Sequence, residues 1–126
     1  MKRHVFISFT LWKTEMAPKE ITKQIDIIPD TELLKGERNA ERILPRQNIW
    51  SFRSTVSSNN ISDHWRELEF KLNPAKDKIK YITINGTAKI TIVVTTQGYI
   101  PDIIIPFKMS EFMGYIDGII DVDHLQ

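Results

Sequence analysis

At 126 residues the chain has room for one hydrophobic core and not for two, so a single domain over 1–126 is expected. Apolar residues at 41% and charged residues at 26% fit an ordinary soluble globular protein, and 17 basic against 16 acidic residues leave a net charge of +1 that nominates no polyanionic partner. The absence of cysteine excludes disulfides, a thiolate nucleophile and cysteine-ligated zinc or iron–sulfur centres.

In chain order, Met1-Lys2-Arg3-His4 followed by Val5 to Trp12 has the outline of an export signal. The apolar run is short, holds Ser8 and Thr10, and meets Lys13 without a small-x-small cleavage site. No stretch approaches the ~20 apolar residues of a membrane span, so a cytoplasmic protein is expected, with no membrane partner. Val5, Ile7, Phe9 and Leu11 alternate with polar residues and predict a first strand. Phe6 and Trp12 interrupt its polar face, which suggests cover on both sides. Pro18 suits the first turn of a helix, Ile21 and Ile25 share one of its faces, and Pro29 stops it.

Residues 30–48 read as a long connection in which Lys35, Arg38, Arg42 and Arg46 outnumber Glu37 and Glu41. Trp50 and Phe52 then share one face of a strand at about 49–55. Asn59-Asn60 breaks it, and Ser62 is placed to cap a helix carrying Ile61, Trp65, Leu68 and Leu72. Asn73-Pro74 restarts a short helical turn with Ile79 and Ile82. Ala88, Ile90, Ile92 and Val94 alternate as a strand, Gln97-Gly98 makes a turn, and Tyr99 to Phe107 reads as a further strand with Pro101 and Pro106 near its ends. Ser110 caps a last short helix with Phe112, Met113 and Ile116; Gly118 ends it, and Ile119 to Leu125 closes the chain as a strand. The expected order is β-α-β-α-β-β-α-β. That is an α+β fold, a mostly antiparallel sheet with two or three short helices packed against it.

Several of these punctuating residues together resemble a known family. Phe6 and Ile7 in the first strand, Pro18-x-Glu20-Ile21-Thr22, Ile28-Pro29, Gly36, Trp50-x-Phe52-x-Ser54 and Ile119 to Asp123 are similar to the pattern of a bacterial family known as domain of unknown function 4279. Ala17 departs from it, since an acid more often precedes the proline. The resemblance implies no catalytic residues, because the family has no assigned activity. It does imply a role, by association, since many small bacterial proteins of this kind sit beside secreted toxins as immunity partners.

Candidate sites carry bland readings beside sharp ones. Asp117, Asp121, Asp123 and His124 come nearest to a metal or acid–base cluster, but on a strand His124 points away from Asp121 and Asp123; a solvated edge is expected. His64 beside Asp63 is a conceivable base and orienter, with a surface histidine as the expectation. No serine stands in a Gly-x-Ser-x-Gly elbow, and the five glycines form no phosphate cradle, so no cofactor is nominated. Lys71, Lys76, Lys78 and Lys80 near Phe70 and Tyr81 could meet nucleic acid, but a pI of about 8.0 and the ordinary solvation of helix ends argue against it. Among the tryptophans, Trp50 and Trp65 have core spacing, and Trp12 is the one expected to be most exposed.

The reading that follows is a non-enzymatic protein of the immunity type that binds and neutralises a cognate protein toxin. Its contact residues would be Arg38, Arg42 and Arg46, or Asp117, Asp121 and Asp123 in a C-terminal segment that carries a net charge of −3 from Lys108 onward. The alternative is a small-ligand or nucleic-acid binding module with a pocket between sheet and helices. An enzyme ranks last, for want of a nucleophile–base pair.

Overall fold

The alternation of Val5–Trp12 becomes the central strand, β1, of a five-stranded sheet. The computed structural model describes residues 4–36, 47–95 and 102–125. After β1 come α1 (Pro18–Ile25), β2 (Thr31–Leu33), β3 (Ile49–Arg53) and α2 (Ile61–Leu72), which runs through a 3-10 turn at Asn73–Ala75 into α3 (Lys76–Thr83). Then follow β4 (Thr87–Thr95), α4 (Phe107–Tyr115) and β5 (Ile119–Leu125). The sheet order is β2-β3-β1-β4-β5. Its pairings are antiparallel except β4 with β5, which is parallel and joined through α4. The fold is α+β, with a mostly antiparallel sheet, as the sequence predicts.

One face of the sheet carries the core. Val5, Ile7, Phe9 and Leu11 of β1 lie beside Trp50 and Phe52 of β3 and Ala88, Ile90, Ile92 and Val94 of β4. Onto them pack Ile21 and Ile25 of α1, Ile61, Trp65, Leu68 and Leu72 of α2, Ile79 and Ile82 of α3, and Met109, Phe112 and Met113 of α4, all in one cluster. Phe9, Trp50 and Phe52 meet edge-on or tilted, with ring centroids 5.7–6.5 Å apart. Full burial of each such side chain stabilises by about 1.5–3 kcal/mol, so this layer dominates the energetics.

The family-like residues have local jobs. Pro18 opens α1 with no side-chain cap from Ala17, as its departure from the pattern implies, and Asp26 ends the helix in a left-handed conformation. Thr22 accepts a hydrogen bond from the Trp50 indole N–H and donates to Glu32, so one hydroxyl joins α1, β3 and β2. Gly118 passes the chain from α4 into β5 against β4: an added Cβ would lie 3.2 Å from the Ala88 carbonyl oxygen and collide with the Met113 side chain.

Four details differ from the sequence reading. β2 lies within the segment read as a connection, because three residues are too few to show a period. Residues 102–106 form no strand, and α4 starts at Phe107 with Pro106 at its N-cap, so Ser110 is an interior residue and not the cap. The reason is topological: a parallel β4–β5 pair needs a crossover where an antiparallel one would take a hairpin. The Gln97-Gly98 turn and residues 99–101 lie outside the described residues. On α2, Asn60 is the N-cap and its side chain accepts from the Ser62 N–H at 3.0 Å, so the cap sits two residues before Ser62.

Glu67 of α2 holds the exit of β3. Its carboxylate accepts from the Thr55 N–H and hydroxyl and from the Val56 N–H, at 2.8–3.1 Å. Partial burial opposes ionisation, but the Thr55 and Val56 hydrogen bonds and the nearby Lys71 charge outweigh it, so the pKa falls below the ordinary 4.5. A carboxylate whose pKa is lowered by folding stabilises the protein above its unfolded pKa and loses that contribution as pH falls through the folded value. Acidification below about pH 4.5 should therefore weaken the wild type more than Glu67→Gln. Urea midpoints at neutral pH and at about pH 3 measure this; equal acid sensitivity in both proteins would contradict it.

Candidate functional site

With the described helices on one face, the register sets out a second face whose composition can be read row by row. Trp12 lies between Ile49 and Thr87, Thr10 between Ser51 and Lys89, Ser8 between Arg53 and Thr91, and Phe6 beside Val93. Beyond β4 the rows continue from Thr91 to Asp121 and from Val93 to Asp123. The side chains of β1 on this face are half-buried, and the described helices all pack on the other face. Among the described residues, then, the cover on both sides suggested by Phe6 and Trp12 does not come from helices. Aromatic rings and cations shield one another there instead. The Arg53 guanidinium lies 5.4 Å from the Phe6 ring centroid and the Lys89 ammonium 4.7 Å from that of Trp12.

A concavity of about 490 Å³ opens on this face above Phe6 and Val93. Hydroxyls of Ser8, Thr31, Ser51 and Thr91 line it together with Arg53 and Asp30. Asp30 is anchored, since its carboxylate accepts the Arg53 backbone N–H at 2.7 Å. The face is thus divided by charge. Arg53 and Lys89 lie over its middle, and the acids Asp121 and Asp123 occupy the edge strand.

Of the residues singled out in sequence, Asp121 and Asp123 are exposed on the outer side of β5, two residues and so about 6–7 Å apart. His124 falls in the other phase of the strand. Asp117 does not join them; it is exposed in the left-handed turn before β5, with φ of 60°. Arg38, Arg42 and Arg46 lie outside the described residues. Among the described residues no three carboxylate or histidine side chains are grouped to hold a metal, and no helix is long and apolar enough to cross a membrane.

His64 corrects the expectation of a surface histidine. It is fully buried, as is Ser54. The Ser54 hydroxyl accepts the Ile7 N–H at 3.0 Å and donates to His64 Nδ1 at 2.6 Å, and His64 Nε2–H donates to the Ser58 carbonyl at 2.7 Å. A carbonyl can only accept, which assigns the proton to Nε2 and leaves Nδ1 to receive the serine proton. The pair has the atoms of a nucleophile and base but is sealed from solvent, and its members line none of the described cavities. It ties β1, β3 and α2 together. The sequence signal was present: His64 is three residues after Ile61 and four before Leu68, on the buried stripe of α2.

The lysine run is engaged locally. Lys76 and Lys80 lie 5.1 and 4.2 Å from the Tyr115 ring centroid, and Lys78 donates to the Gln24 carbonyl at 3.0 Å. The Tyr115 hydroxyl donates to Asp77, which raises the phenol pKa above its ordinary value. Trp50 and Trp65 are buried and Trp12 is partly exposed, in the order their positions suggest.

The chain belongs to a known family: the model of Domain of unknown function (DUF4279) matches residues 3–126. No curated protein and no solved structure matches it.

Replacing Ser54 by alanine would leave both the Ile7 N–H and His64 Nδ1 buried without their partner, at a cost of about 1–3 kcal/mol for each group. Ser54→Ala should therefore lower the unfolding free energy by about 2 kcal/mol or more in urea titration. A change below about 0.5 kcal/mol would show that the buried pair is not a structural tie.

Proposed function

We propose that this member of the DUF4279 family is a non-enzymatic binding protein of the immunity type, which neutralises a cognate protein toxin by holding it against the outer face of its sheet. The observation that carries the reading is that face itself. A sheet with helices packed on one side presents on the other an array of hydroxyls, Trp12, Phe6, Arg53 and Lys89, bordered by Asp121 and Asp123. Such a surface needs no reacting groups, and its separated charges would orient a partner and speed its encounter more than add raw affinity. The exposed acids at the edge suit a partner that is basic where it meets β5.

One observation favours a second reading. The concavity above Phe6 and Val93 gathers four hydroxyls around Arg53, a composition suited to a small polar or anionic ligand.

Capture with a tagged chain from the native host, followed by mass spectrometry, separates the two. The immunity reading expects one stoichiometric protein, retained by the wild type and lost on Asp121→Lys/Asp123→Lys. An empty eluate under conditions where toxins are made would overturn it. Thermal stabilisation by a small anion, abolished by Arg53→Ala, would move the assignment to the second reading.

A further inference from the structure

The structure points to a specific mode of attachment at β5, and this inference rests on the binding role proposed above. We propose that β5 accepts an extended segment of the partner as a sixth strand, and that the segment alternates basic and apolar residues.

Among the described residues β5 is an edge strand of seven residues, paired on one side only, with β4. About half of its backbone N–H and C=O groups therefore point away from the sheet, a template for strand addition. Natural edges are commonly protected by being short, by charged side chains, lysine above all, by proline or by a bulge. The only protection β5 carries is the pair Asp121 and Asp123, which repels an acidic or like strand and not a basic one. Its residues pair in unbroken register with Lys89 to Thr95, and it contains neither lysine nor proline. Its apolar side chains are also unfinished. Ile119, Val122 and Leu125 are each about half exposed, although Val122 lies in the phase that faces the helices.

The side chains specify the occupant. A strand laid beside β5 would set alternate residues next to Asp121 and Asp123 on the outer face, where opposite charges pair favourably. Its intervening residue would lie next to Val122, where an apolar side chain continues the core layer. A second copy of this chain is the wrong occupant. Antiparallel pairing of two β5 strands about a two-fold axis opposes Asp121 to Asp123, or one of them to its own counterpart, and like charges directly opposite are destabilising. The fitting segment is therefore basic–apolar–basic.

The test is hydrogen–deuterium exchange on the full chain, with a synthetic peptide of alternating lysine and valine as long as β5. The expected result is slowing of amide exchange in 119–125 by about tenfold or more, weakened by salt and absent with a glutamate–valine peptide. Asp121→Lys/Asp123→Lys should remove it. If that variant loses protection in β1 and β4 and so fails to fold, the salt dependence and the acidic peptide on the wild type decide instead. No protection, or protection confined to another surface, overturns strand addition. If β5 stays unprotected while a captured toxin shields β1 and β3, strand addition fails and the immunity reading stands. If the peptide protects β5 but no protein partner is recovered, strand addition is supported and the immunity reading falls.

Discussion

Because β1 lies between β3 and β4, its two-residue period decides which side chains of three strands meet the helices and which form the opposite face. A slip of one residue would bury Phe6, Ser8, Thr10 and Trp12 and expose Val5, Ile7, Phe9 and Leu11. Ser54 works against that slip, binding both backbone groups of Ile7: its N–H donates to the Ile7 carbonyl at 2.9 Å and its hydroxyl accepts the Ile7 N–H. His64 then fixes that hydroxyl from α2. Net hydrogen-bond contributions of about 1 kcal/mol each are smaller than the burial of Phe9 or Trp50. Burial thus supplies most of the stability, while the buried pair selects the register.

The division into two faces explains how the surface can be specialised without cost to the core. Outer-face residues such as Ser8, Ser51 and Thr91 contact their cross-strand neighbours and not the helices, so their identity is free to serve recognition. The charges follow the same logic. Arg53 and Lys89 are each held over an aromatic ring, which limits their reach, whereas Asp121 and Asp123 stand exposed on the last strand. The acids are therefore the groups best placed to act on an approaching partner.

Much of this fold was legible in the sequence where periodicity was long and clean. β1, α2 and β4 follow from Val5 to Leu11, Ile61 to Leu72 and Ala88 to Val94, because seven or more residues display the period. The three residues of β2 offer no period at all. Ile103, Ile104 and Ile105 look like strand material, but they are exposed and belong to the arm of a crossover, a fact set by the parallel pairing and not by their own composition. Asp121 and Asp123 could be placed together from strand geometry alone. The burial of His64 could have been read from its helical phase, but its partner Ser54 is ten residues away, just past the end of β3, and only the tertiary register brings the two within 2.6 Å.

The claim at the centre of the account is that the partner covers the outer sheet face and its acidic edge. The chain has no cysteine of its own, so single cysteines can report cover one position at a time. Ser51→Cys and Thr91→Cys would mark the outer face, and Lys23→Cys and Arg66→Cys the exposed surfaces of α1 and α2. In the complex with a captured toxin, thiol labelling should be suppressed at Ser51→Cys and Thr91→Cys and unchanged at the helical positions. Suppression at the helical positions, with the outer face still open to the reagent, would contradict the account.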